Sequence, residues 1–175
     1  YSLSAKEKYR VFEITKADGG TRTISAPIGP LKRIQKELAR ILQRAYFEIN
    51  LKEENFCPVT HGYQFGRSII SNAERHSNRR FVVNADIKDF FPSFNFGRIR
   101  GYFMKNKYYS MNSEVATTIA QILCHENQLP QGAPSSPIMS ELLFSVVDVR
   151  LASFARKNRL SYTRYCDDLS FSTGK

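Results

Sequence analysis

The chain has 175 residues, 42% of them hydrophobic and 24% charged, so it is expected to fold as one substantial globular domain or two small lobes sharing a core. It lacks the run of about 18 apolar residues that a membrane-spanning helix needs. Three scattered cysteines (Cys57, Cys124, Cys166) predict a reduced, cytoplasmic setting and no zinc site. The net charge is +10, and it is uneven. Residues 1–80 carry 15 basic and 8 acidic side chains, net +7, against 11 and 8, net +3, in residues 81–175. A basic N-terminal half points to a polyanion partner, with a merely soluble basic surface as the alternative.

In chain order, Arg10–Ile14 and Thr21–Ser25 flank Asp18-Gly19-Gly20 and predict a hairpin. Gly29-Pro30 opens a helix in which Leu31, Ile34, Leu38, Ile41, Leu42 and Ala45 form a stripe expected to be buried. Lys32, Arg33, Lys36, Arg40 and Arg44 occupy its other faces and read as solvated, or alternatively as facing phosphates. An irregular stretch, His61–Ser68, precedes a short helical segment through Asn72 to His76. Residues 81–87, Phe-Val-Val-Asn-Ala-Asp-Ile, predict a buried strand ending on an acid. Phe96–Tyr108 and Asn112–His125 have helical spacing, Leu129–Ser136 is a loop, and Pro137 to about Arg156 is a long helix. Residues 160–164 and 169–172 alternate polar and apolar side chains and predict a closing hairpin. Hairpin, helices, strand, helices and hairpin in that order suggest an α+β domain, with helices on one side of a mainly antiparallel sheet.

Asp167 and Asp168 fall at the tip of that last hairpin, within Tyr165-Cys166-Asp167-Asp168. Adjacent aspartates repel each other, and a hard divalent cation would relieve the repulsion; turn chemistry at a solvated tip is the bland alternative. Asp86 ends the strand 81 residues before Asp167 and would lie beside the tip if the two strands pair. Three carboxylates there could hold two metal ions about 4 Å apart, as in nucleotidyl transfer. A helix cap is the other reading of Asp86.

Together these segments resemble the reverse transcriptases. Asp86-Ile87-Lys88-Asp89-Phe90-Phe91 is similar to motif A of that family, residues 129–137 (Leu-Pro-Gln-Gly-Ala-Pro-Ser-Ser-Pro) to motif B, and Tyr165-Cys166-Asp167-Asp168 to motif C. His61-Gly62-Tyr63 with Gly66-Arg67-Ser68 resembles the preceding block of bacterial and group II intron enzymes. Asn72-Ala73-Glu74-Arg75-His76 matches the Asn-Ala-x-x-His signature of retron enzymes.

The resemblance implies the fingers and palm of a right-hand polymerase, with residues 1–80 as fingers and 81–175 as palm. It implies an RNA-directed DNA polymerase that adds dNTPs to a primer 3′-hydroxyl, with an RNA template and DNA product as partners. Asp86, Asp167 and Asp168 would be the catalytic acids and ligands of two Mg²⁺ ions, or of Mn²⁺, with the Ile87 carbonyl as an extra ligand. Phe91 falls at the steric gate that would exclude a ribose 2′-hydroxyl; an ordinary core phenylalanine is its alternative. Gln131 would face the incoming nucleotide, with Gly132 letting the backbone approach. Arg22 resembles the fingers arginine that clamps the triphosphate. Lys16 and Asp89 read as surface charges, with assistance in gripping the triphosphate and a backbone contact to the nucleotide as their respective alternatives. His61, His76 and His125 read as structural, with His76 also a candidate for a retron-type surface, and Cys166 fills the variable position of motif C.

The family continues beyond motif C into a thumb, whereas this chain stops seven residues after Asp168. Lys175 is therefore expected to be a truncation point or the end of one piece of a split protein, inactive alone. A retron-type enzyme copying a structured RNA, with an effector protein as a partner and a role in antiviral defence, is the expected assignment. A group II intron-like or other bacterial reverse transcriptase, or a non-catalytic RNA-binding fragment, are the alternatives.

Overall fold

A computed structural model describes residues 8–16, 19–52 and 59–174. Contacts gather the chain into two units, one from residues 1–49 and 91–143 and the other from 50–90 and 144–175.

In the first unit, strands β1 (Tyr9–Thr15) and β2 (Thr21–Pro27) form an antiparallel hairpin in register from Tyr9↔Pro27 to Thr15↔Thr21. The turn position expected at Asp18 lies outside the described residues. A lone two-stranded ribbon is marginal in water, so this one needs anchors. Tyr9 supplies one: its ring stacks on His125 at 4.1 Å, and its hydroxyl accepts a 2.9 Å hydrogen bond from Gln35 Nε2. The same Gln35 amide donates to the Ile122 carbonyl at 2.7 Å.

Gln35 lies on helix α1 (Gly29–Lys52), whose buried line is Leu31, Gln35, Ala39 and Leu42. The expected stripe is therefore corrected. Ile34, Leu38 and Ala45 are only half-buried, and Ile41 is 56% exposed. A polar residue wins the inner face because it ties the helix to the hairpin, a gain that hydrophobic periodicity does not register. Helices α3 (Phe96–Lys105) and α4 (Ser113–Leu123) pack through Ile99, Phe103, Ala116, Ala120 and Leu123, all fully buried. Asn95 and Asn112 cap them by accepting from the Arg98 and Val115 amides, satisfying donors that a helix start leaves open. Both helices end two or three residues earlier than their apolar spacing suggests, at caps Asn106 and Cys124 in extended conformation.

The second unit holds the short helix α2 (Ile69–Glu74) and an antiparallel three-stranded sheet of order β3 (Phe81–Asp86), β5 (Asp168–Thr173), β4 (Ser161–Tyr165). Its core joins Val59, Ala155 and Tyr162 with Leu151, Ala152, Leu160, Leu169 and Phe171. The C-terminal part of helix α5 (Ser136–Lys157) thus covers one face of the β4–β5 hairpin. β3 corrects the expectation of a buried strand. It is an edge strand, and Phe81, Val82 and Val83 are each about half exposed within the described residues.

Candidate active site

Register decides which acids meet. β3 pairs with β5 so that Asp86 stands directly opposite Asp168, and the Ile87 amide donates to the Asp167 carbonyl at 3.1 Å. Directly opposed residues of antiparallel strands present their side chains on one face. That face also carries Asn84, Ser170 and Ser172, and the Ser170 hydroxyl donates to Asn84 Oδ1 at 2.9 Å. It is a polar face, opposite the one that α5 covers.

The β4–β5 turn has two residues, Cys166 and Asp167, because Tyr165 pairs with Asp168. Cys166 sits at φ 56°, the left-handed region that glycine normally fills in tight hairpins. A side chain there costs roughly 1–3 kcal/mol, so the surroundings must hold the turn. Three contacts do so. Arg164 Nη1 donates to the Cys166 carbonyl at 2.8 Å. Thr60 bridges to Arg164 alongside β4, with His61 N donating to the Arg164 carbonyl at 2.7 Å. Gly62 passes so close that a methyl on it would collide with the Cys166 backbone nitrogen and lie 2.7 Å from its Sγ. Gly62 is glycine because of that approach.

The three aspartates at this end carry like charge. Asp168 titrates above the usual carboxylate range, chiefly through partial burial and then through the neighbouring Asp167 and Asp86 charges. Among the described residues, no three His, Cys, Asp or Glu side chains converge into a ready-made metal site. The backbone makes the three aspartates neighbours, and their mutual repulsion opposes closing them into a cluster. As donors they are hard carboxylate oxygens, which suit Mg²⁺ or Mn²⁺ and exclude a soft-metal preference.

His76 lies inside this unit and is not on a surface. Its Nδ1 is 2.7 Å from Ser172 Oγ and its Nε2 2.6 Å from Thr163 Oγ1, so it staples the polar faces of β5 and β4. His61 reaches Ser71 Oγ at 2.8 Å. Burial, followed by the Arg67, Arg75 and His76 charges, lowers His61 to about 4, and burial beside Arg75 and Arg79 lowers His76.

Arg22, Phe91 and Gln131 belong to the other unit. Arg22 is exposed on β2, opposite Ile14. The Gln131 carbonyl accepts from Ser25 N on the same strand at 2.7 Å, and Gly132, at φ 107°, leaves room for Ile24 where a methyl would sit 2.7 Å away. The loop that resembles motif B is thus docked on the strand that carries Arg22. Phe91 is half-buried in a turn whose Phe94 carbonyl accepts from Leu129 N at 3.0 Å.

The reverse transcriptase (RNA-dependent DNA polymerase) family model matches residues 14–174. The chain belongs to the reverse transcriptase family. The retron Ec86 reverse transcriptase of Escherichia coli is 34% identical over 171 residues, covering 97% of this chain and 50% of that protein. The retron Mx65 reverse transcriptase of Myxococcus xanthus is 34% identical over 182 residues, covering 94% of this chain and 40% of that protein. The chain thus spans half or less of the length of these curated relatives. In fold it is similar to telomerase from Candida albicans, solved with a fragment of telomeric RNA (TM-score 0.68, 13% identity, 98% of this chain and 39% of that one). Apo telomerase from Candida tropicalis is also similar (TM-score 0.65, 14% identity, 100% and 45%). The α+β class expected from sequence is the class of this reverse transcriptase fold. Reverse transcriptases generally use divalent metal ions. Among the described residues, no helix is long and apolar enough to cross a membrane.

Sequence reasoning missed Arg164 and Asp148, and it placed Gly62 in a family-like block without giving it a role. One signal was available for Arg164: it occupies the apolar phase of β4, in step with Leu160 and Tyr162.

Proposed function

We propose that the chain carries the polymerase centre of an RNA-directed DNA polymerase that extends a primer 3′-hydroxyl with deoxynucleotides on an RNA template. Residues 1–80 would act as fingers and 81–175 as palm. The observation that carries this reading is the register Asp86↔Asp168, with Asp167 in the intervening turn. Asp86, Asp167 and Asp168 would hold two Mg²⁺ ions, for which Mn²⁺ could substitute. Such ions, when bound, acidify the attacking hydroxyl and balance charge on the departing pyrophosphate. The chain's own groups do the rest. Arg22 would grip the triphosphate by charge-assisted hydrogen bonds. Gln131 would face the nucleotide, and Phe91 would exclude a 2′-hydroxyl by its bulk. The basic N-terminal half supports nucleic-acid binding through phosphate contacts.

Identity to retron enzymes and the Asn72–His76 signature support a retron-type enzyme that copies a structured RNA; an effector protein would be a further partner of such a system. A structured non-coding RNA gene upstream of the reading frame would be expected.

In the full-length protein, Asp167→Asn or Asp168→Asn should reduce dNTP incorporation to background while RNA binding is retained. Incorporation at the parental rate would overturn the assignment. RNA binding that is indifferent to Mg²⁺, without nucleotide transfer by the parent protein, would instead indicate a non-catalytic binding module. Phe91→Ala should admit ribonucleotides; unchanged discrimination would remove the gate.

A further inference from the structure

Among the described residues of the second unit, the most heavily buried charge lies next to the acidic turn. Arg164 is fully buried on β4, and its side chain meets Asp148, 5% exposed, on α5. Nε lies 3.0 Å from Asp148 Oδ1, and Nη2 lies 2.7 Å from Oδ2, a two-pronged arrangement with a fixed plane. Tyr162 donates to the same Oδ1 at 2.7 Å. The Phe144 ring lies 4.8 Å beneath the guanidinium carbon. With carboxylate, phenol and ring in place, the guanidinium has little freedom to rotate, and its remaining nitrogen, Nη1, is aimed at the Cys166 carbonyl.

A buried ion pair is a poor device for stability alone, because desolvating two charges cancels much of their attraction. A hydrophobic pair of similar volume would serve the core as well. What apolar side chains could not supply is a fixed donor to the carbonyl of a left-handed residue. That carbonyl belongs to the peptide bond that leads into Asp167.

We propose that Arg164, locked by Asp148, is a positioning residue: it holds the strained Cys166–Asp167 peptide so that Asp167 and Asp168 are preset for binding a divalent cation. The proposal rests on the assignment of these aspartates as metal ligands. It adds to that assignment a specific cause for the turn's geometry, reaching from the α5 side of the sheet to the acidic side. Outer groups that orient metal ligands typically affect affinity or activity about 10–100-fold.

The test uses full-length protein bound to an RNA template with a dideoxy-terminated DNA primer and a matching dNTP, titrated with Mn²⁺ by electron paramagnetic resonance. Thermal melting and Mg²⁺-dependent primer extension are recorded alongside. Arg164→Lys keeps the positive charge but has one nitrogen, which cannot serve both Asp148 and Cys166. The double variant Arg164→Met/Asp148→Asn removes both charges and leaves an oxygen acceptor for Tyr162. Either variant should bind Mn²⁺ about 10–100-fold more weakly and need correspondingly more Mg²⁺, with RNA affinity within about twofold of the parent. Ala155→Gly, a buried change in the same core, should lower the melting temperature without moving Mn²⁺ affinity.

A folded Arg164 variant with parental Mn²⁺ affinity overturns the proposal. So does an equal loss in Ala155→Gly, or failure of both Arg164 variants to fold, since the pair would then merely support the core. Asp167→Asn serves as the separate control. If it binds Mn²⁺ like the parent, the assignment of the acids falls, whatever the Arg164 variants do.

Discussion

The two faces of the three-stranded sheet treat charge in opposite ways. On the α5 side, Arg164 and Asp148 are buried together, and the guanidinium meets the carboxylate, the Phe144 ring and the Cys166 carbonyl. On the other side, Asp86 and Asp168 stand opposite each other with like charge, and Asp168 holds its proton more tightly, through partial burial first and then the Asp167 and Asp86 charges. Only a few residues of β4 and β5 separate the two arrangements. Stability alone would favour complementary charges on both faces. The unmatched pair is the one exposed to solvent, where an incoming cation could supply the missing charge.

Breaking the matched side should have the largest effect. Asp148→Ala strands a buried guanidinium and should cost about 3–5 kcal/mol, read as a drop in the urea midpoint. A loss below about 1 kcal/mol would mean that Arg164 finds water or another acceptor. Next comes the close approach at the turn. Gly62→Ala forces a methyl against the Cys166 backbone and should cost roughly 1–3 kcal/mol by overpacking, whereas the same change at Gly101, which has open space, should show no such clash.

The buried His61 beside the turn should give a smaller, graded effect. His61 is lowered to about 4 in the folded chain from an ordinary value near 6.5, so the unfolded chain binds the proton first on acidification. The stability this supplies is complete above about pH 6.5 and is lost as the pH falls toward 4. The parent should therefore lose more melting temperature between pH 7 and 4.5 than His61→Gln; parallel curves would refute a neutral, buried His61.

Relieving the unmatched side should have the smallest effect, and of opposite sign. Asp168→Asn removes a like-charge cross-strand pair and should raise stability at pH 7, without divalent ions, by about 0.2–1 kcal/mol. The folded value of Asp168 is raised, so its charge is a liability that grows as pH rises through that value. The gain over the parent should thus shrink on acidification, and a gain independent of pH would point to packing instead.

Much of this architecture was legible in local pattern. Alternation placed β4 and β5 within a residue and put the acidic pair at or next to their turn, while the structure narrowed the turn to Cys166 and Asp167. Helical spacing placed the starts of α3 and α4 within a residue, at Phe96 and Asn112, and the structure added Asn95 and Asn112 as their caps. The acids at positions 86, 167 and 168 stood out because aspartate is a poor strand residue. Their meeting depended on β3 choosing β5 as its partner, which no local pattern states. Hydrophobicity misled at Ile41 and across Phe81–Val83 because it ranks residues without knowing which neighbours are present. It also passed over Gln35, whose value lies in bonds to residues 26 and 87 positions away.

The sequence by itself determined the elements, the acidic turn and the chemical class of its donors, since these follow from backbone preference and side-chain type over a few residues. Tertiary structure alone decided that Asp86 faces Asp168, that Arg164 is buried on Asp148, and that position 62 must be glycine. Each of these is a contact between segments far apart in the chain, and burial and register exist only once the segments have packed.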